Sequence, residues 1–178
     1  VSSVGNPNGM VNRKNFPGVG LIQKETKWPT SVSLAKKDAF IVRLDVITKY
    51  DSTVRALNTD IKARFNSAYS NNTKVSVVFM EDGIIGPQKD YSQNPDKIEE
   101  YEFEHMLRGA INGSWGDVLK NTPILANDSV SISYPNFALD QKFNDKNITV
   151  IVFAYDAISK EILQVEKRIR SRVKKQME

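Results

Sequence analysis

The feature that most constrains this chain is a series of short runs rich in β-branched and aromatic residues, separated by clusters of turn-forming residues. The densest run is 148–155, and similar runs occupy 40–48 and 75–80. These lengths are typical of strands rather than helices. Around seven such segments, without long helical patterns between them, predict a mainly β fold: an antiparallel β-sandwich of the immunoglobulin-like or jelly-roll-like kind.

Alternation within these runs predicts which side chains face the interior of the sandwich. In a strand, successive side chains point to opposite faces, so the apolar members of each alternating run should share the buried face. The predicted core consists of Ile41, Leu44, Val46, Val77, Phe79, Leu107, Ile151 and Phe153.

Turn signals and charge divide the 178 residues into three parts. Residues 1–27 are too short to be a domain of their own, 28–166 are predicted to be the sandwich domain, and 167–178 a basic C-terminal extension. The extension holds six basic residues and one acidic residue, whereas the rest of the chain carries 19 basic and 20 acidic residues. The extension contains no aromatic residue on which bases could stack, so we predict no nucleic-acid binding.

Composition excludes several classes of chemistry. The chain has no cysteine, which rules out disulfides, thiol catalysis and thiolate-bound zinc or iron–sulfur clusters within it. It has one histidine, His105, and no apolar run of the length that a membrane-spanning helix requires. Neither a nucleophile elbow nor a glycine-rich phosphate loop is present. We therefore predict no catalytic residue and no cofactor.

His105 lies in a segment, 101–108, that alternates aromatic or basic residues with acidic ones. If this segment is a strand, His105 lies on one face while Glu102 and Glu104 lie on the other. The carboxylates would then point away from the imidazole. This pattern predicts a partly buried, hydrogen-bonded structural histidine.

Arg108 is the last residue of the same segment and is predicted to fix a neighbouring loop by pairing with Asp82 or Asp117. The same two aspartates are candidates for a calcium site, but they are weak ones, because no calcium-loop spacing accompanies them. The sequence therefore predicts no metal site.

The loops 82–100 and 109–128 are predicted to form a binding face, because binding residues concentrate on loops that a rigid scaffold positions. Aromatic side chains there offer flat surfaces with polar edges. The candidate binding residues are Tyr91, Tyr101, His105, Arg108 and Trp115.

Several segments, in order along nearly the whole chain, resemble the twenty-eight-kilodalton outer-membrane protein family of Bacteroidetes, which are surface lipoproteins. The segments are 7–13, Trp28, 80–88, 101–108, 113–117, 151–155 and 160–165. The chain departs from the family pattern at Phe103, where the family has a histidine, which argues against a two-histidine metal site. The resemblance implies a β-sandwich preceded by a thioredoxin-like part. Residues 1–27 would then be a remnant or linker from that upstream part, with a candidate cis-proline at Asn6–Pro7.

The resemblance also implies a location in the cell envelope, at the outer membrane or cell surface, with membrane attachment only through a lipid anchor outside this chain. The predicted function is a non-catalytic surface module that binds protein or glycan, or mediates adhesion. Two alternatives stay open: part of an envelope thiol-redox protein whose cysteines lie upstream, or a hydrolase that uses His105. The oligomeric state is not predicted.

Overall fold

The computed structural model describes residues 7–169 and 171–172, and within them the chain is mainly β. The Asn6–Pro7 bond and most of the basic extension lie outside these residues. One α-helix, α1, spans Trp28–Ala35, and two short 3₁₀ helices span Glu25–Lys27 and Asp145–Asn147. The strands are β1 Asn8–Gly9, β2 Gln23–Lys24, β3 Val42–Asp51, β4 Ala56–Phe65, β5 Thr73–Glu81, β6 Ile84–Lys89, β7 Lys97–Phe103, β8 Met106–Ala110, β9 Asp117–Lys120, β10 Ser129–Ala138, β11 Ile148–Asp156, β12 Ile162–Ile169 and β13 Ser171–Arg172.

Two sheets form the layers of the sandwich, so the predicted fold class is confirmed. The first has the strand order β10–β4–β3–β13, and the second has the order β12–β11–β5–β8, with β9 also pairing β5. Every pairing in the two sheets is antiparallel except that of β13 with β3. Strands β8 and β9 lie end to end along β5, because β8 pairs with the last residues of β5 and β9 pairs with its first residues.

The alternating pattern of β3 shows why this sequence forms a two-sided strand. Val42, Leu44 and Val46 are buried, whereas the charged residues Arg43 and Asp45 between them are exposed. The apolar side chains of β3 meet those of β5 and β11 in one core between the sheets. Burying side chains of this kind stabilises the fold by roughly 1.5–3 kcal/mol each.

The predicted core is correct for four residues, Leu44, Val46, Val77 and Phe79, which are all buried. Ile41 is partly buried and packs against the core.

The prediction is wrong for Leu107, which is 66% exposed. Ile151 and Phe153 are only half-buried. They lie on the outer face of β11, because the inward face is occupied by Val150 and Val152. Strand β11 is apolar on both faces, so its composition alone did not distinguish inside from outside.

The segment before β3 covers part of that outer face. The Asn12 carbonyl accepts a hydrogen bond from the Ile162 N–H at 2.8 Å, and the Arg13 guanidinium lies 5.0 Å from the centre of the Phe153 ring. At the other end of the chain, β12 runs on through Lys167 and Arg168, the first two residues of the predicted extension. In the part of the chain that the structure describes, no helix is both long and apolar enough to cross a membrane.

Candidate functional site

The predicted binding residues do not share one face, because His105 and Trp115 lie near opposite ends of β5. Met106, next to His105, pairs with the last residue of β5, whereas Asp117, two residues after Trp115, pairs with Val75 near its start. Six residues of strand separate the two pairings, which corresponds to roughly 20 Å. The structure therefore separates Trp115 from His105.

Tyr91 and Tyr101 belong to a separate two-stranded sheet, in which β6 pairs with β7. Tyr91, in the turn between these strands, is 82% exposed, and the Lys89 ammonium lies 5.5 Å from the centre of its ring. The Tyr101 ring packs edge-on against Phe103 with 4.8 Å between ring centres. Tyr101 is thus partly committed to packing, whereas Tyr91 is open to solvent.

Arg108 has a structural setting, but its predicted partners were wrong. Its Nε lies 3.0 Å from Oε2 of Glu81, whose side chain is only 7% exposed, and its guanidinium covers the Phe143 ring at 4.9 Å. The contact with Glu81 has the distance of an ion pair without the alignment of a hydrogen bond. Asp117 instead accepts a hydrogen bond from the Tyr134 hydroxyl at 2.8 Å. Arg108 thus pairs with Glu81 rather than with the next residue, Asp82, because the Glu81 side chain lies on the same side of β5 as Arg108.

A compact group of carboxylates and imidazole forms where the β6–β7 hairpin joins the second sheet. We call this junction the neck; it comprises Asp82–Gly83, which leads from β5 into β6, and Glu104–His105, which leads from β7 into β8. Asp82 Oδ1 accepts a hydrogen bond from the His105 backbone N–H at 2.6 Å and lies 3.9 Å from Nδ1 of that imidazole. One donor atom from each of Asp82, Glu104 and His105 lies within 4.8 Å of the others.

The predicted separation of His105 from Glu104 is therefore wrong, and so is the predicted partial burial of His105, because its side chain is 60% exposed. Strand β7 ends at Phe103, so the alternation of a strand does not continue through these two residues. His105 has a φ of 58°, in the left-handed region, and this backbone turn places its imidazole on the same side as the neighbouring carboxylate. Nothing in the local alternation of residues signals such a turn.

Electrostatics at the neck reflect this crowding of acidic groups. The hydrogen bond from the His105 N–H lowers the pKa of Asp82 below its usual value. Partial desolvation and the nearby Asp82 charge raise the pKa of Glu104. The two carboxyl groups thus have opposite shifts, which is the usual result when two acids compete for one site.

At the opposite end of β5, the loop before β9 is tightly fixed to the sheet. Asn112 completes the strand ladder with its side chain, because Oδ1 accepts from the Val77 N–H at 2.9 Å and Nδ2 donates to the Val75 carbonyl at 3.0 Å. Gly116 approaches β5 so closely that an added Cβ would lie 2.1 Å from the Val75 oxygen. The Trp115 carbonyl accepts a hydrogen bond from the Tyr155 hydroxyl.

Although its backbone is fixed, the Trp115 side chain is 67% exposed. It lines a cleft of about 420 Å³, and the Lys160 ammonium lies 6.0 Å from the centre of its ring. We call this the Trp115 cleft; the described residues that line it are Met10, Arg13, Leu21, Ser114, Trp115, Ser159 and Lys160. Residues that are distant in sequence form this cleft, so Trp115 is the one member of its lining that the sequence predicted as a binding residue.

Catalytic chemistry has little support at either end. The His105 imidazole makes no hydrogen bond to a hydroxyl group among residues 7–168, whose side chains the structure describes, so a serine–histidine arrangement is not assembled there. Among the described residues that line the Trp115 cleft, there is no carboxylate and no imidazole. What the cleft offers is a fixed aromatic surface with two cations beside it.

The comparison with known families decides where this protein belongs. The family model described as outer membrane protein Omp28 matches residues 1–174. This chain belongs to the Omp28 family. The family resemblance seen in the sequence is confirmed, and the protein is a module of the cell envelope at the outer membrane.

Among solved structures, the chain is similar to a domain of the outer membrane lipoprotein Omp28 from Porphyromonas gingivalis. The two share 18% sequence identity with a TM-score of 0.48, and the match covers 76% of this chain and 92% of that one. No curated protein matches the chain.

Proposed function

We propose that this Omp28-family protein is a non-catalytic binding module of the cell surface, and that the Trp115 cleft binds a protein ligand. The observation that carries the proposal is an exposed indole on a backbone held by the Asn112 ladder contacts and the close approach of Gly116. A tryptophan on a fixed backbone loses little conformational freedom when it is covered, so the loop is organised for binding in advance.

The lining of the cleft favours a protein over a glycan. Tryptophan, methionine and arginine are the residue types enriched where protein interfaces derive most of their energy, and Trp115, Met10 and Arg13 supply them here. Sugar hydroxyl groups are bound best by paired donors and acceptors such as carboxylates and amides, and the described lining contains neither.

The charge of the cleft further defines the ligand. Arg13 and Lys160 are the charged residues among its described lining, and both are basic. The Arg13 guanidinium is already stacked on Phe153 and Tyr155, so it is held in place at the edge of the cleft. These cations fit a ligand segment that carries an apolar anchor beside an aspartate or glutamate.

The proposal is tested with the wild-type protein and two variants, Trp115→Ala and Tyr91→Ala, immobilised and exposed to solubilised envelope proteins and to a glycan array. Tyr91→Ala is the matched control, because it also removes an exposed aromatic ring but lies in the β6–β7 hairpin. We expect a protein retained by the wild type and by Tyr91→Ala. With that ligand purified, Trp115→Ala should weaken binding by about 30-fold, as for an interface hot spot.

Circular dichroism should show Trp115→Ala to be folded, because the exposed indole contributes little to the core. Retention of the same ligand by Trp115→Ala with unchanged affinity would refute the role of the cleft. A glycan that binds only when Trp115 is present would assign the cleft to carbohydrate instead. Loss of binding in Tyr91→Ala alone would move the site to the hairpin.

A further inference from the structure

The neck combines three metal-binding side chains from two crossings of the chain that are 22 residues apart in sequence. Asp82 comes from the crossing that enters the hairpin, and Glu104 and His105 come from the crossing that leaves it. Because both crossings pass the end of β5, the fold holds their donor atoms within 4.8 Å of one another. The group stands apart from the Trp115 cleft and is independent of the proposed function.

We propose that Asp82, Glu104 and His105 bind one divalent transition-metal ion, with zinc as the best match. This goes beyond the sequence analysis, which predicted no metal site. One imidazole nitrogen and two carboxylate oxygens form a donor set that zinc accepts readily. Calcium and magnesium prefer oxygen donors alone, so the imidazole favours a transition metal over either of them.

The distances require only small side-chain adjustments. Ligands of a tetrahedral zinc ion lie about 2.1 Å from the metal and therefore about 3.4 Å from one another. Asp82 Oδ1 and His105 Nδ1 are 3.9 Å apart, and the widest separation within the group stays inside 4.8 Å. Glu104 and His105 have exposed side chains, so rotation can close the remaining gap.

The backbone orients the group before any ion arrives. The hydrogen bond from the His105 N–H to Asp82 Oδ1 fixes that carboxylate beside the imidazole. Glu102 of β7 lines a cavity of about 290 Å³ together with Asp82 and Glu104, so a further carboxylate lies beside the group. Lys146 also lines this cavity, but none of the ion pairs in the described chain joins it to these carboxylates.

Among the described residues, no lysine or arginine lies within ion-pair distance of Asp82 or Glu104, and the charge of Lys167 acts on Asp82 only from farther away. A dication would neutralise both carboxylates, and it would tie together the two crossings at the base of the β6–β7 hairpin.

The single histidine makes the test unambiguous. The full chain is prepared without an affinity tag, stripped with a chelator and titrated with zinc alone, while the imidazole signals are followed by NMR. His105 is the only histidine of the chain, so each imidazole signal belongs to it. We expect these signals to shift or broaden until one zinc ion is bound per chain, and calorimetry to give the same stoichiometry.

Two variants remove ligands, and a third is the matched control. His105→Asn removes the imidazole with a residue that tolerates a positive φ, which protects the turn. Glu104→Gln removes one carboxylate, and Glu99→Gln removes a carboxylate of β7 that pairs with Lys97 instead. Zinc affinity should fall at least tenfold in the first two variants and stay unchanged in the third.

A melting-temperature measurement completes the test. Zinc should raise the melting temperature of the wild type and of Glu99→Gln more than that of His105→Asn, whose fold is checked by circular dichroism. The proposal is overturned if 1 mM zinc leaves the imidazole signals unchanged. It is also overturned if folded His105→Asn binds zinc as tightly as the wild type.

Discussion

Asp156, at the end of β11, is an acidic residue whose contribution to stability can be worked out from its contacts. It is 1% exposed and accepts four hydrogen bonds of 2.7 Å each. The Tyr69 hydroxyl and the Asn71 amide donate to one oxygen, and the backbone N–H groups of Ile158 and Ser159 donate to the other. The residue thus connects the turn before β12 to the loop before β5.

These contacts determine how much the ionised Asp156 contributes to the free energy of unfolding. Burial by itself raises the pKa of Asp156, but the hydrogen bonds outweigh it and hold the pKa at about 2. An aspartate in an unfolded chain has a pKa of about 3.9, and each unit is worth about 1.4 kcal/mol. The ionised carboxylate therefore stabilises the fold by roughly 2.5 kcal/mol at neutral pH.

The perturbation is Asp156→Asn, which has the same shape but cannot ionise. The NH₂ group of the amide would have to face two groups that are themselves hydrogen-bond donors, as the O–H of a protonated Asp156 would. We expect the free energy of unfolding at pH 7 to fall by roughly 2.5 kcal/mol. Because the folded pKa is depressed, this contribution is present above about pH 4 and is lost as the pH falls toward 2. The difference between wild type and variant should halve by about pH 3.

Urea denaturation followed by circular dichroism, at several pH values between 7 and 3, measures this difference directly. Effects of other acidic groups are common to both proteins and cancel. Asp45→Asn is the control, because Asp45 forms an exposed pair with Arg43 that is worth less than about 1 kcal/mol. A loss below about 1 kcal/mol at pH 7, or a difference that does not change with pH, would refute the reasoning.

Two further predictions concern the neighbours of the candidate sites. Gly116→Ala should destabilise the protein by more than about 3 kcal/mol, because the new Cβ would lie 2.1 Å from the Val75 oxygen. Gly113→Ala has open space around it and should cost only about 1–2 kcal/mol, because of its positive φ. Equal losses of stability in thermal unfolding would contradict this prediction. Arg108→Ala should cost about 3–5 kcal/mol by leaving buried Glu81 without its cation, and adding Glu81→Gln should recover part of that loss. Unchanged stability in Arg108→Ala would show that the pair contributes nothing.

The sequence alone determined the features that depend on local pattern. The apolar alternation of β3 and the dense apolar runs of β5 and β11 predicted strands where the structure has them. The absence of cysteine and the single histidine restricted the chemistry before any fold was known. The ordered family segments led to the correct family, because they are a property of the chain and need no contact between distant residues.

Residues 53–65 show the limit of such reasoning. Their apolar residues alternate imperfectly, which is compatible with a helix and with a bulged strand, yet β4 pairs regularly with β3 from Ala56 to Phe65. The irregularity lies in its other partner, β10, between Tyr134 and Phe137. Pairing with two neighbours determined the structure of β4, and that information lies outside its own residues.

Only the tertiary structure decided which predicted site residues meet. Arg108 pairs with Glu81 rather than with its predicted partners, and Leu107 is exposed, because β8 meets β5 with a shift in register between Phe79 and Met80. His105 joins Asp82 through a left-handed turn that ends the alternation of β7. A strand pattern specifies two faces, but the register between strands and the backbone at their ends determine which side chains come into contact.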